Sequence, residues 1–290
     1  MTSRRRISKL KIDVFFEAAS GHAYRTTDLQ SILLQNRETW TVPKSMTPPK
    51  FLDYLVRRTE MRPLTLESPY GQIVRYAWRG EPTAIALALS LKPNAFLSHG
   101  TALWIHGLAP KAETIYVNQE QSPKPSGGEL SQEAIHRAFR NNQRESKLVY
   151  KWQQQYLTVL SGKHTGRLGV QLLSGPNQEQ ISVTSLERSL IDAVVRPSYV
   201  LNGVAGVLEA FRVARTRVSV ELLLKLLREL KYTYPYHQAL GWYLSRASYT
   251  AEEQKLVESI GIRWDFYLGH GFKDMEFDRR WRVSVPKHLT

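Results

Sequence analysis

The stretch "SMTPPKFLDYLVRR", residues 45–58, restricts this chain more than any other. Thr47 is a capping residue type, and Pro48 suits the first helical position because its missing N–H would have no partner there. The pattern carries a helix on through Arg58. Phe51, Leu52, Leu55 and Val56 fall on one side of it. At about 100° per residue, Lys50, Tyr54 and Arg57 gather on the other side, with Arg58 beside them. Such a helix buries one face and offers cations on the other. The runs "LTLES" and "IVRYAW" that follow flank a Pro-Tyr-Gly turn, which is the pattern of a hairpin.

Two helices precede this unit. From Lys11 to Ala19, Ile12, Phe15, Phe16 and Ala19 recur at helical spacing. Thr27 offers a cap for "DLQSILLQN", with Leu29, Ile32 and Leu33 facing inward. Three helices and then a hairpin, with the third helix basic on one face, is the order of a winged helix-turn-helix, expected over residues 1–80. On that fold Lys50, Tyr54, Arg57 and Arg58 are the candidates for groove contacts. Lys44, Tyr70 and Arg75, with Arg4, Arg5 and Arg6 of an N-terminal arm, are the candidates for DNA-backbone contacts, which give register and affinity.

The charge distribution agrees with an anionic partner. The 290-residue chain carries a formal net charge of +14. Residues 1–80 hold 14 Lys and Arg against 7 Asp and Glu, half of that excess in little more than a quarter of the chain. The absence of cysteine excludes disulfides, zinc ribbons and thiol chemistry, and fits a reducing compartment. No stretch reaches the roughly 18–20 apolar residues that span a bilayer, and the basic start lacks the apolar core of a signal peptide. A cytoplasmic protein without a membrane partner is the expectation.

"RGEP", residues 79–82, separates the basic segment from an apolar helical run, "TAIALALSL", and marks a domain boundary. Residues 82–290 read as a larger mixed α/β domain, making the whole chain α+β. Strands are expected at 114–118, 148–152, 156–160, 169–173 and 181–183, around a Pro/Gly/Ser loop at 121–131. A helical block runs from Ser185 to about Ser259, and strands near 262–268 and 281–285 close the chain. Thr184 with Glu187, and Thr250 with Glu253, have the spacing of capping boxes, and Pro197 stops the first helix of the block.

Several candidate chemistries lapse on spacing. "FLSHGTALWIHGL", residues 96–108, sets His99 and His106 on one face of a short helix between the cap Ser98 and the stop Gly107. Seven residues at about 1.5 Å rise separate the rings by about 10 Å. That is too far for one ion held at roughly 2.0–2.1 Å. His106 sits in the last turn, where free carbonyls and the helix dipole favour its proton. Glu187, Arg188 and Asp192 have a structural account, a cap and a pair one turn apart, over a buried stripe of Leu186, Leu190 and Val194. No phosphate-binding Gly-Lys-Ser/Thr loop, dinucleotide fingerprint or nucleophile elbow is present. The turn "LLSGPNQEQ" has Glu179 but no acidic pair, Glu229 and Lys231 lack a partner Asp, and "SGKHTGR" reads as a basic hairpin loop. No cofactor is implied, and the chain reads as a binding protein rather than an enzyme.

"FLSHGTALWIHGL", "VTSLERSLIDAVVRPSYVLNG" and "VLEAFRVARTRVSVELLLKLL" together resemble the AbiEi family of antitoxins of type IV toxin–antitoxin systems. The likeness covers most of residues 82–245. Ser189 stands where the family commonly has Thr, Asn202-Gly203 where it often has two glycines, and the loop before the third helix is long. The resemblance implies a bacterial antitoxin that represses its own operon through double-stranded promoter DNA and counteracts a nucleotidyltransferase toxin. The alternatives are a ligand-responsive winged-helix regulator without a toxin, and a nuclease recruited to DNA.

Overall fold

The computed structural model describes residues 7–18, 21–123, 129–271 and 273–289. It opens with α1 (Lys9–Ala18), a two-residue strand β1 (Ala23–Tyr24) and α2 (Thr26–Asn36), followed after a loop by α3 (Pro48–Arg58), β2 (Met61–Ser68) and β3 (Gly71–Trp78). Ala19, placed by its spacing on the first helix, lies outside the described residues. Ile12 and Phe16 of α1, Leu29 and Leu33 of α2, and Phe51 and Leu55 of α3 close over Trp40, Met61 and Trp78 in one buried cluster. The capping of α2 differs from the sequence reading. It starts two residues early, and Asp28 serves the N-terminus by accepting the Arg25 backbone N–H at 2.8 Å and its guanidinium alongside. Thr27 is already inside the helix.

The long loop before α3 is fixed at both ends. Trp40 is buried in the first core, and the Arg37 guanidinium donates to the carbonyls of Pro43 at 2.7 Å and Met46 at 3.0 Å. The start of α3 follows from sequence: Thr47 is extended, Pro48 takes the first turn, and the Thr47 carbonyl accepts the Phe51 N–H. The Thr47 hydroxyl makes no capping bond.

The middle of the chain adds α4 (Ala84–Ser90), β4 (Phe96–Leu97), α5 (His99–Ile105), β5 (Thr114–Glu120), α6 (Gln132–Phe139), β6 (Val149–Trp152), β7 (Gln155–Gly162), β8 (Val170–Ser174) and β9 (Gln180–Thr184). The nine strands named so far form one mixed sheet in the order β1-β3-β2-β6-β7-β5-β4-β9-β8. Its parallel pairs are β5 with β7 and β4 with β9. The seam between the N-terminal hairpin and the rest is the pair Glu67–Lys151, where β2 meets β6. The sheet thus runs through the boundary at residues 80–82.

The hairpin is a wall between two cores. Met61, Tyr76 and Trp78 face the first cluster. On its other side Leu64, Leu66 and Ile73 join a second cluster with Ile85, Leu97, Val117, Leu157 and Val183. Period-two alternation produces this division, since successive strand residues point to opposite faces.

A helical block follows: α7 (Leu186–Val195), a 3-10 turn at Pro197–Tyr199, α8 (Gly203–Ala214), α9 (Val220–Leu230), α10 (Tyr236–Arg246) and α11 (Ala251–Glu258). The chain then forms β10 (Phe266–Tyr267), β11 (Met275–Asp278) and β12 (Val283–Pro286), a small sheet in the order β10-β12-β11. These elements enclose the third and largest core, and α7 runs through it with Arg188, Ser189 and Asp192 all buried. The architecture is α+β, with eleven α-helices among the described residues. None of those helices is long and apolar enough to cross a membrane.

One capping box forms as spaced and one does not. Thr250 Oγ1 accepts from Glu253 N at 3.2 Å, and Glu253 returns the bond to Thr250 N at 2.8 Å. At α7 the cap is Ser185, whose hydroxyl accepts the Arg188 N–H. Thr184 remains in β9 and hydrogen-bonds Ser189, and Glu187 reaches the Ser219 N–H instead.

Candidate nucleic-acid interface

The apolar residues of α3 fix its orientation. With Phe51 and Leu55 buried, the helix turns Lys50, Asp53, Arg57 and Arg58 outward, all exposed, and leaves Tyr54 half-buried. The Tyr54 ring lies over Phe51 at a centroid distance of 6.4 Å. Lys50, Asp53, Tyr54, Arg57 and Arg58 line one open groove of about 580 Å³ together with Met46 and Pro49. The four groove-contact candidates are thereby brought together. Asp53, which the sequence reading passed over, stands among them and accepts a 2.6 Å hydrogen bond from Arg57 Nε.

Lys44 is exposed on the loop that leads into α3. Tyr70 is exposed at the tip of the β2–β3 turn, where Ser68 Oγ accepts the Tyr70 N–H and donates to the Gly71 carbonyl. Gly71 has φ +109°, a value that L-residues with a side chain rarely adopt, so the two-residue turn depends on it. Arg4, Arg5 and Arg6 lie outside the described residues.

Arg75 is elsewhere. It is 9% exposed and points into the protein, where Nε donates to Ser90 O at 3.1 Å and Ser90 Oγ at 3.2 Å. Its Nη1 donates to Val74 O at 2.8 Å and its Nη2 to Leu91 O at 3.2 Å. Burial holds its guanidinium below the usual arginine range. A cation satisfying the last carbonyls of α4 completes that helix end. Arg75 therefore fastens the hairpin to α4 and does not belong to the exposed face. Its strand row, Ile73-Arg75-Ala77, carried the signal: alternation sets it with the inward residues.

The histidines of residues 96–108 are both structural. His99 is the buried first residue of α5, after the N-cap Ser98, whose hydroxyl makes no capping bond; it has φ +51° and its Nδ1 lies 2.9 Å from Ser98 Oγ. Burial pushes its pKa down to about 4. His106 Nε2 is 2.7 Å from the Thr184 carbonyl, so this ring ties α5 to the β9–α7 junction. Its proton is disfavoured, contrary to the helix-dipole expectation. Burial lowers the pKa and outweighs the Thr184 hydrogen bond that raises it. Arg188 and Asp192 form a buried pair at 2.8 Å, with Arg188 Nη1 also donating to Leu168 O at 2.7 Å.

No protein-family model matches the chain, and no curated protein matches it. In solved structures the chain is similar to the RV2827C protein from Mycobacterium tuberculosis, with a TM-score of 0.53 and 12% sequence identity. That superposition covers 97% of this chain and 92% of the other. At such an identity the likeness is one of fold.

Proposed function

We propose that this chain is a DNA-binding regulator whose residues 1–80 act as a winged helix-turn-helix, with α3 laid in the major groove. The observation that carries the reading is the exposed cationic face of Lys50, Arg57 and Arg58, with the half-buried Tyr54 among them, along an open groove. The order α1-β1-α2-α3-β2-β3, with β1 paired antiparallel to β3, supports it. In this arrangement Arg57 and Arg58 are the candidates for paired hydrogen bonds to guanine, and Lys44 and Tyr70 flank them toward phosphate. Arg75 is excluded from that set by its burial.

The regulator is further assigned as an antitoxin that represses its own operon and counteracts a nucleotidyltransferase toxin. This part rests on the residues that resemble AbiEi proteins, 96–108, 183–203 and 207–227. The test is binding of the full-length protein to a fragment of its own promoter, followed by fluorescence anisotropy at increasing salt. Several phosphate contacts would give a steep fall of affinity with salt, with a slope of about −0.9 per neutralised phosphate. Co-expression with the neighbouring gene then scores protection of growth. Affinity unchanged in both Arg57→Ala and Arg58→Ala would remove α3 from the interface.

A further inference from the structure

One cavity of the molecule shares no residue with the α3 face. It has a volume of about 960 Å³ and lies where the ends of α7 and α9, the turn after β7 and the loop after β10 converge. That volume is at the upper end of the roughly 300–1,000 Å³ of small-molecule sites. Local sequence explains how it is lined. Lys231 closes α9 in a left-handed conformation, φ +48°, and the chain turns sharply there to lay Tyr232, Thr233 and Tyr234 along the wall. Arg196 ends α7 outside helical geometry and places its guanidinium 6.0 Å from the Tyr199 ring. Lys163, just past β7, donates to the carbonyls of Leu230 and Lys231, which holds its ammonium at the C-terminus of α9 and 5.5 Å from the Tyr232 ring.

Among the described residues, the lining holds three cations, Lys163, Arg196 and Lys231, two imidazoles, His164 and His270, and no Asp or Glu. Among the described residues none of the three cations has a carboxylate within ion-pair distance; the nearest ion pairs are those of His164 with Glu120 and of Arg188 with Asp192. Burial and then Lys231 push the Lys163 ammonium down, and burial and then Arg196 push the His270 imidazole down. The same lining carries aromatic rings, with Tyr232 beside Lys163. Tyr234 meets Phe139 edge to face at 5.3 Å, and His270 stacks on Phe139 at 4.6 Å. A pocket with an uncompensated positive end and a ring-lined wall matches a ligand that joins an anionic group to a flat ring. It is a concave recess, suited to a monomer rather than to a duplex.

We propose that this cavity binds a free nucleotide, with its phosphates against Arg196, Lys231 and Lys163 and its base against the wall formed by Tyr232 and Tyr234. Arg196 supplies a planar donor fork, and the two ammonium groups act as point charges. The site would make the regulator responsive to nucleotide supply, and it does not depend on the reading of α3.

The test is isothermal titration of the full-length protein with ATP, GTP, CTP and UTP in turn, and with inorganic triphosphate as the ring-free probe. At least one nucleotide should bind one to one and at least tenfold more tightly than triphosphate. Lys231→Ala and Arg196→Ala should each weaken it at least tenfold, whereas Arg57→Ala should leave it unchanged. Lys231 is exposed, so its variant should fold normally and keeps the test sound if Arg196→Ala is unstable. No heat with any nucleotide, equal affinity for triphosphate, an unaffected Lys231→Ala, or a loss in Arg57→Ala would each overturn the proposal. The last of these would place the nucleotide on the α3 face.

Discussion

Arg57 donates to Asp53 over 2.6 Å, one turn back along α3, and both side chains are more than half exposed. A surface pair of this kind contributes roughly 0.2–1 kcal/mol and is easily exchanged for another partner. If α3 binds DNA as proposed, its effect on function should be larger, because the carboxylate would then face the approaching duplex. Asp53→Asn removes one negative charge from the face and releases Arg57. Duplex DNA should then bind several-fold more tightly at low salt, with the salt slope steeper by about 1. Arg57→Ala should go the other way and cost about 1–3 kcal/mol on the specific site. Weaker binding by Asp53→Asn would instead make Asp53 a base acceptor.

Arg75 gives a stability prediction of the opposite kind. It joins the hairpin to the end of α4 through three hydrogen bonds to Ser90 and Leu91, while a fourth stays within the hairpin at Val74, in a place nearly closed to solvent. Arg75→Ala strands the carbonyls of Ser90 and Leu91 and should cost about 2–3 kcal/mol. Urea unfolding should report that loss. DNA affinity of the folded fraction should not change, which separates a fastening role from a phosphate contact.

The contrast between Arg57 and Arg75 shows what was legible in the chain. The third helix could be read because its cap, its proline and its apolar spacing are all local. Four of its residues consequently lie together on one side of the helix as expected, and the hairpin could be read from its turn for the same reason. Arg75 was misplaced by attention to charge over strand alternation. The joining of β2 to β6 at Glu67 and Lys151 depends on residues 84 positions apart in the numbering and leaves no local mark. Thr184 has the right distance to Glu187 for a capping box, but its hydroxyl goes to Ser189 and its carbonyl to His106, so the cap passes to Ser185. The cavity escaped the sequence reading altogether. Its cations come from three separate turns, and only packing brings them together.

His99 makes the fold sensitive to acid. Its pKa is lowered from 6.5 to about 4 by burial, so the fold holds the neutral ring. In the unfolded chain the ring takes up a proton near pH 6.5. The contribution is therefore full above about pH 6.5 and declines as pH falls toward 4. The loss reaches about 3 kcal/mol for that shift. His106, His237 and His270 are also lowered by burial and add to the same slope. Asn tolerates the left-handed backbone of position 99, so His99→Asn should fold and should show a flatter stability profile between pH 6.5 and 4. Equal slopes for the two proteins would show that His99 is accessible to protons in the native state.

Gly241 occupies the middle of α10, where a glycine ordinarily costs about 1 kcal/mol relative to alanine. Trp281 accounts for it. A β-carbon at position 241 would stand 2.1 Å from Trp281 Cζ3. The indole cannot easily withdraw, since Trp281 is fully buried and its main chain is held on both sides, the backbone N–H donating to Asp278 at 3.0 Å and the carbonyl accepting from Gln238 at 2.8 Å. Gly241→Ala should therefore destabilise the protein despite the better helix propensity, by about 1–3 kcal/mol as an overpacked core does. Trp281→Phe alone should also destabilise, by leaving a void. Together the two changes should cost less than the sum of the single effects, because the smaller ring admits the new methyl group. Thermal unfolding of the four proteins measures this coupling, and strict additivity would mean that the two residues do not press on each other in solution.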